Sequence, residues 1–343
     1  MKEHLASWCL ALLTFFSLAG CGAYSGDRLA WEVLVDISRP EANVAALDSE
    51  TPVAWRLWST QGEIYPKEQL PDVLIPDSKG HYGRFRGLPC ELDSQSLLFG
   101  PSLAEEATGA KPPCKAVFLN DPAAKYILDK GIFLRQTLAD AAAERPGIHL
   151  PSQGFVAREI KTAWWPIGPR DFGDYIVAID KDKHAWGLVA LHLMTHERPK
   201  WLWATWIHQK YANLVPADLG LHDSFGTGAG RISDALRGLL ESKNELFLAN
   251  YKLIGSQADF KPGRLGNPLI EGNLRCSSCM GCHQSAGLRK DGRWSAPDQC
   301  ETMGETPPLP GINSTDFDYS LASQAECHNV GTCKNANLLM DHR

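Results

Sequence analysis

Two runs decide the fold class: Ala185-Trp186-Gly187-Leu188-Val189-Ala190-Leu191-His192-Leu193-Met194 and Trp201-Leu202-Trp203-Ala204-Thr205-Trp206-Ile207-His208. Both are rich in Trp, Val, Ile and Leu, residue types that suit a pleated, covered surface. A short polar turn around Glu197-Arg198-Pro199-Lys200 joins them. Parallel strands need a long crossover, so a connection this short makes the two runs antiparallel neighbours. From Ala185 to Met194 both alternating faces are mostly apolar, which predicts a central strand. Strict alternation would put Trp186, Leu188, Ala190, His192 and Met194 on one face.

The pattern extends outward. Runs at 154–165 and 174–180 carry the same residue types, bounded by turns at Gly168-Pro169-Arg170-Asp171 and Asp180-Lys181-Asp182-Lys183. A helix is expected over 121–144, with Asp121 as cap and Pro122 in the first turn; Gly131 divides it and Arg145-Pro146-Gly147 ends it. A second helix is expected over 231–251, because Ile232, Leu236, Leu239, Leu240, Phe247 and Tyr251 recur at helical spacing. Residues 21–120 read as irregular, with Trp31 to Val35 and Val53 to Trp58 as short pieces of strand or helix. The expected class is α+β: a Trp-rich antiparallel sheet with a few helices and an irregular C-terminal segment. The expected divisions are 1–20, 21–120, 121–260 and 261–343.

Composition bounds the function. The chain has 343 residues, 44% apolar and 22% charged, with a net charge of −6. These values exclude a disordered or collagen-like chain. Without a long basic cluster, nucleic acid is not an expected partner. No apolar run reaches the ~18–20 residues of a membrane span. There is no P-loop, no G-x-G-x-x-G and no G-x-S-x-G, so nucleotide and serine-hydrolase chemistries lack support.

The N-terminus reads as an export signal. Met1-Lys2-Glu3-His4 precedes an apolar stretch that ends at Leu18-Ala19-Gly20-Cys21. That ending resembles the bacterial lipobox, a resemblance that implies lipidation of Cys21 as the mature N-terminus. Gly22 in place of Asp implies sorting to the outer membrane. Acyl chains at Cys21 would tether a periplasm-facing body to the membrane.

Export also changes how the ten cysteines read. Arg275-Cys276-Ser277-Ser278-Cys279-Met280-Gly281-Cys282-His283 contains C-x-x-C-H, the attachment motif of c-type haem. Two thiols three residues apart can add to the two vinyl groups on one porphyrin edge. The next residue then supplies an imidazole as the proximal ligand, which assigns Cys279 and Cys282 to attachment and His283 to iron. A thioredoxin-like dithiol, a zinc site recruiting Cys276, and an iron–sulfur cluster recruiting Cys300 are the competing readings. An oxidising compartment favours bridges among the six remaining exported cysteines; of 15 connectivities, nearest-neighbour pairing gives Cys90–Cys114, Cys276–Cys300 and Cys327–Cys333, the alternative being that some stay free and buried.

Three further stretches join the motif: Gly154 to Trp164, Gly187 to His192 and Pro199 to His208. Over about 120–325 the chain resembles a loosely described group of exported bacterial "cytochrome c family" proteins. In that group a tryptophan-rich sheet precedes one C-terminal haem motif, and an acidic, phenylalanine-bearing segment follows, here Thr315-Asp316-Phe317-Asp318-Tyr319. The resemblance implies the cofactor more than a reaction. The group usually has an acidic residue before the histidine that follows Trp206; Ile207 stands there instead.

The sixth iron position decides what such a site does. A Met or His ligand makes an electron carrier, whereas an open position admits small ligands. Met303, beside Pro307-Pro308, and His208, at a strand end, are the candidate distal ligands. His192 and the near-terminal Met340 are weaker ones. The expected function is a lipid-anchored monohaem cytochrome passing single electrons to a periplasmic redox partner protein. Two alternatives remain: a haem oxidoreductase or peroxidase with an open iron assisted by His208 or Arg275, and a non-redox ligand-binding lipoprotein.

Overall fold

The computed structural model describes residues 25–39, 53–65, 114–144, 147–180, 182–219, 221–228, 231–258, 263–271, 278–284, 286–289 and 312–316. Cys21, Cys90, Arg275, Cys276, Cys300, Met303, Cys327, Cys333 and Met340 lie outside these residues. The fold is α+β, a mostly antiparallel sheet with several helices. Strands β1 (Ser59–Thr60), β2 (Cys114–Leu119), β3 (Arg158–Pro166), β4 (Val177–Ile179), β5 (Ala185–Thr195) and β6 (Leu202–His208) belong to the main sheet. A small hairpin of β7 (Thr227–Gly228) and β8 (Arg231–Ile232) stands apart from it. Strand β9 (Tyr251–Ala258) completes the order β1-β2-β3-β5-β6-β9, with β4 beside β5. Strand β10 (Gly287–Arg289) pairs antiparallel with β11 (Ile312–Ser314) in a second small sheet.

Strand β5 is central, between β3 on one side and β4 and β6 on the other. Its alternation is not strict. Ala163 faces Ala190 but Trp164 faces Leu188, so Val189 is an extra residue on β5. One inserted residue inverts the side-chain alternation beyond it. Leu188 and Trp186 therefore pack on one face, and Ala190 and Met194 on the other. The single face expected for Trp186, Leu188, Ala190, His192 and Met194 is corrected accordingly. A similar irregularity on β9 leaves Ile254 between the partners of Thr205 and Trp206.

Each face of the sheet carries its own core. Leu202, Ala204 and Trp206 join Phe118, Ile160, Leu191, Leu193 and Leu253 on one face. Helix α1 (Gly26–Ile37) covers it: Ser25 caps the helix by accepting from the Arg28 N–H at 3.2 Å, and Trp31 meets Trp206 edge-on at 5.8 Å. The Asp27 carboxylate accepts from Ser224 N, Ser224 Oγ and Ser256 Oγ, which ties the helix start to β9. The segment expected to be irregular thus contributes a helix, the single turn α2 (Gln61–Ile64) and two strands.

The opposite face is covered by α3 (Asp121–Lys130) and α4 (Arg135–Ala143), divided at left-handed Gly131 (φ 65°) as the glycine predicted. The cap is Asn120 rather than Asp121: its Oδ1 accepts from Ala123 N at 3.2 Å. The second helix is shorter than expected. Ser233 caps α5 (Asp234–Lys243), and Asn244 ends it in the left-handed conformation (φ 59°). Tyr251, placed by its spacing on that helix, instead begins β9, where its hydroxyl donates to Leu188 O and accepts from Ile176 N. Residues 279–283 form a short helix, α6 (Cys279–His283).

Candidate functional site

The face shared by Ala190, Met194, Trp203 and Ile207 also holds Cys279 and Met280. Cross-strand register orders its side chains into rows. Glu159, Met194, Trp203 and Gln257 form one row across β3, β5, β6 and β9. Lys161, His192, Thr205 and Gly255 form the next. The segment 263–271 and helix α6 lie over these two rows, as their contacts show.

Helix α6 is held from both ends. Ser278 caps it, its Oγ accepting from Gly281 N at 3.2 Å. Gln257 on β9 accepts from Met280 N through Oε1 at 3.0 Å and donates to Gly263 O through Nε2 at 2.7 Å. The Gln257 amide also lies 3.2 Å from Ser278 Oγ. At the other end His283 rests against the Trp203 ring, centroids 5.7 Å apart. Residues i, i+3 and i+4 share one helix face, so Cys279, Cys282 and His283 present together. Neither cysteine is in a disulfide.

The two thiols differ in surroundings. Cys279 is buried, its Sγ 3.9 Å from Leu265 O, whereas Cys282 and His283 are half-buried. Burial raises the Cys279 thiol well above its ordinary range, and the negative charge of Glu271 adds to the shift. A buried thiol keeps its proton because a thiolate would lose hydration.

Glu271 belongs to a polar group set on the second row. His192 Nε2 lies 2.8 Å from Glu271 Oε1. Burial alone would raise the Glu271 carboxyl; the His192 pair and the Asn267 N–H outweigh it and hold the carboxyl below its ordinary value. Asn267 fixes the segment by donating from Nδ2 to Thr205 Oγ1 and Trp206 O, both at 2.9 Å. Lys115 Nζ adds a bond to Ile270 O at 3.3 Å. These contacts fix the strip of chain that precedes the cysteines.

His208 is not brought to this site. Its Nε2 donates to Asp174 O at 2.9 Å, its Nδ1 accepts from Lys210 N at 3.3 Å, and Tyr175 stacks on its ring at 4.0 Å. Those two bonds fix one neutral tautomer with both nitrogens engaged. Burial, the largest influence, lowers its tendency to protonate. His192 is committed to Glu271. Cys114 is disulfide-bonded, and its expected partner Cys90 lies outside the described residues. Asp316, in the acidic segment, accepts from Leu150 N at 2.7 Å and lies 3.9 Å from His196 Nδ1.

Gln257, Asn267 and Glu271 were not expected at the site. They are polar residues in a stretch without periodicity. The long-range contacts of β9 and of 263–271 bring them beside the cysteines. Among the described residues, no helix is long and apolar enough to cross a membrane. No family model, curated protein or solved structure matches the chain.

Proposed function

We propose that the protein is a monohaem c-type cytochrome, lipid-anchored through Cys21 and facing the periplasm, that passes single electrons to a redox partner protein. One observation carries this reading: two thiols and an imidazole stand on one face of a short capped helix seated on a rigid sheet. The donor set fits haem c. Thiols outside any disulfide remain able to form thioethers with vinyl groups, and the adjacent imidazole is a suitable iron ligand.

Cys279 and Cys282 would attach the haem and His283 would bind its iron; the haem supplies a one-electron couple. The chain's own residues do the rest. Gln257 and Ser278 fix the helix, so the imidazole keeps its aim. Trp203 limits rotation of the His283 ring. Leu265 and the second-row polar group close the Cys279 side, leaving the Cys282 and His283 side half-open. A rigid, largely dry seat suits electron transfer because little around the iron has to reorganise when its charge changes. The sequence offers Met303 and His208 as sixth ligands, and the engaged nitrogens of His208 weigh against it. They weigh equally against a peroxidase that uses His208 as its acid.

The test is to co-express the full chain with a haem-attachment system, then record oxidised and reduced absorption spectra and the mass of a peptide spanning Cys279 to His283. The expected results are a Soret band and a peptide heavier by one haem. A colourless protein with unmodified thiols overturns the proposal. Labelling with fatty acid, lost in Cys21→Ser, tests the anchor.

A further inference from the structure

We infer that Glu271 lowers the reduction potential of the haem by holding a buried negative charge beside the attachment site, an inference that rests on the haem reading above. Three contacts fix its place. The Glu271 carboxylate accepts from Asn267 N through Oε2 and faces His192 Nε2 through Oε1 at 2.8 Å. Asn267 is two residues along the chain from Leu265, a span of at most ~7 Å. Leu265 O in turn lies 3.9 Å from Cys279 Sγ. The carboxylate is therefore within roughly 13 Å of the sulfur that would carry the porphyrin. A unit charge ~10–15 Å away, at an effective dielectric constant of ~20, biases an equilibrium roughly six- to sixteenfold. The positive groups around Glu271 screen part of that effect.

Charge fixes the sign. Oxidised haem iron carries one more positive charge than reduced iron, so a nearby carboxylate stabilises the oxidised state and lowers the potential. Glu271 acts through space and is not a ligand. Its charge reaches the Cys279 sulfur, the first atom of the haem linkage. It keeps that charge although burial opposes it, because His192 on β5, the Asn267 N–H and Lys161 on β3 outweigh the cost. Lys115 on β2 steadies the same strip of chain through Ile270 O at 3.3 Å. Two other buried carboxylates are engaged elsewhere. Asp27 accepts from Ser224 and Ser256 at the start of α1, the helix that covers the opposite face, and Asp316 accepts from Leu150 N.

The experiment uses the full holoprotein at about pH 7. Wild type, Glu271→Gln, Glu271→Asp and Glu32→Gln are compared by equilibrium redox titration and by absorption spectrum. Glu271→Gln keeps the shape and removes the charge. It is expected to favour reduction about three- to tenfold, ~30–60 mV upward for one electron, with an unchanged Soret band. Glu271→Asp keeps the charge and should stay within about twofold of wild type. Glu32→Gln removes a carboxylate from α1, on the opposite face, and should change nothing. If Glu271→Gln folds poorly, the double variant Glu271→Leu/His192→Leu serves, because neither partner is left stranded; the same upward shift is expected. An unmoved or lowered potential without the carboxylate, an equal shift in Glu271→Asp, or a shift that comes with an altered Soret band overturns the inference while leaving the haem reading intact. Absence of attached haem removes both, and the peptide mass distinguishes that case.

Discussion

The imidazole of His283 rests against the indole of Trp203, ring centroids 5.7 Å apart and tilted by 44°. Trp206, three residues on, packs on the other face of the sheet against Trp31. The two tryptophans therefore separate stability from site geometry. Leucine at either position removes a large buried ring and is expected to cost about 2–4 kcal/mol, read from urea unfolding. Only Trp203→Leu should broaden or shift the Soret band of the matured protein, because that ring packs on His283 whereas Trp206 lies on the other face. Equal spectral changes from both variants would show that the faces are not independent.

The unequal burial of the two thiols gives a chemical prediction. In protein expressed without haem attachment, Cys282 should alkylate with iodoacetamide at about pH 8, while Cys279 resists until denaturant is added. Two causes act together: Cys279 is sterically covered, and burial followed by the Glu271 charge suppresses its thiolate. Peptide mass mapping over time reads the order. Prompt alkylation of Cys279 in native buffer contradicts the packing around Leu265.

Glu271 and His192 face each other largely buried, with 20% and 14% of their side-chain surfaces exposed. Glu271→Gln removes the carboxylate that His192 and the Asn267 N–H hold, so it should cost about 1–3 kcal/mol near neutral pH. The sign of the pH dependence follows from the carboxyl lying below its ordinary 4.5 despite its burial. A lowered carboxyl contributes stability that is present above 4.5 and lost as pH falls through the lower folded value. Wild type and Glu271→Gln should therefore converge in acid and diverge toward neutrality. Urea midpoints at several pH values measure this, and a constant gap between the curves contradicts it.

Particular residues show what the sequence could and could not convey. The β5–β6 hairpin was legible because two apolar runs flank a polar turn too short for a crossover. The bulge was not: one extra Val189 in an apolar run leaves no mark on composition, yet it inverts the face of everything before it. Strand β9 was hidden because Gly255, Ser256 and Gln257 interrupt its alternation, while Tyr251 falls at helical spacing from Leu240 and Phe247. Asn244 carried the contrary signal, as a residue that tolerates the left-handed conformation where helices end. At the site, C-x-x-C-H was legible by spacing alone. Its supports, Gln257 and the His192–Glu271 pair, arise from register between distant segments, which local patterns do not encode.

Glu245 yields a prediction away from the site. It follows the left-handed Asn244, is fully buried, and neither carboxylate oxygen has a hydrogen-bond partner among the described residues. Burial pushes its carboxyl up to about 7, opposed by the positive charge of Arg39. A raised carboxyl favours the fold while protonated; that contribution is complete below the ordinary 4.5 and is lost as pH rises through about 7. At higher pH the folded chain holds an unpartnered buried carboxylate. Glu245→Gln keeps the shape and removes the ionisation. Solvent screening reduces the full effect of the shift, so the variant should gain roughly 1–2 kcal/mol over wild type at about pH 8. At about pH 4.5 the two proteins should be nearly equal. Paired urea titrations at both pH values decide it: a variant with no advantage on the alkaline side means that Glu245 finds a cationic or hydrogen-bonding partner in solution.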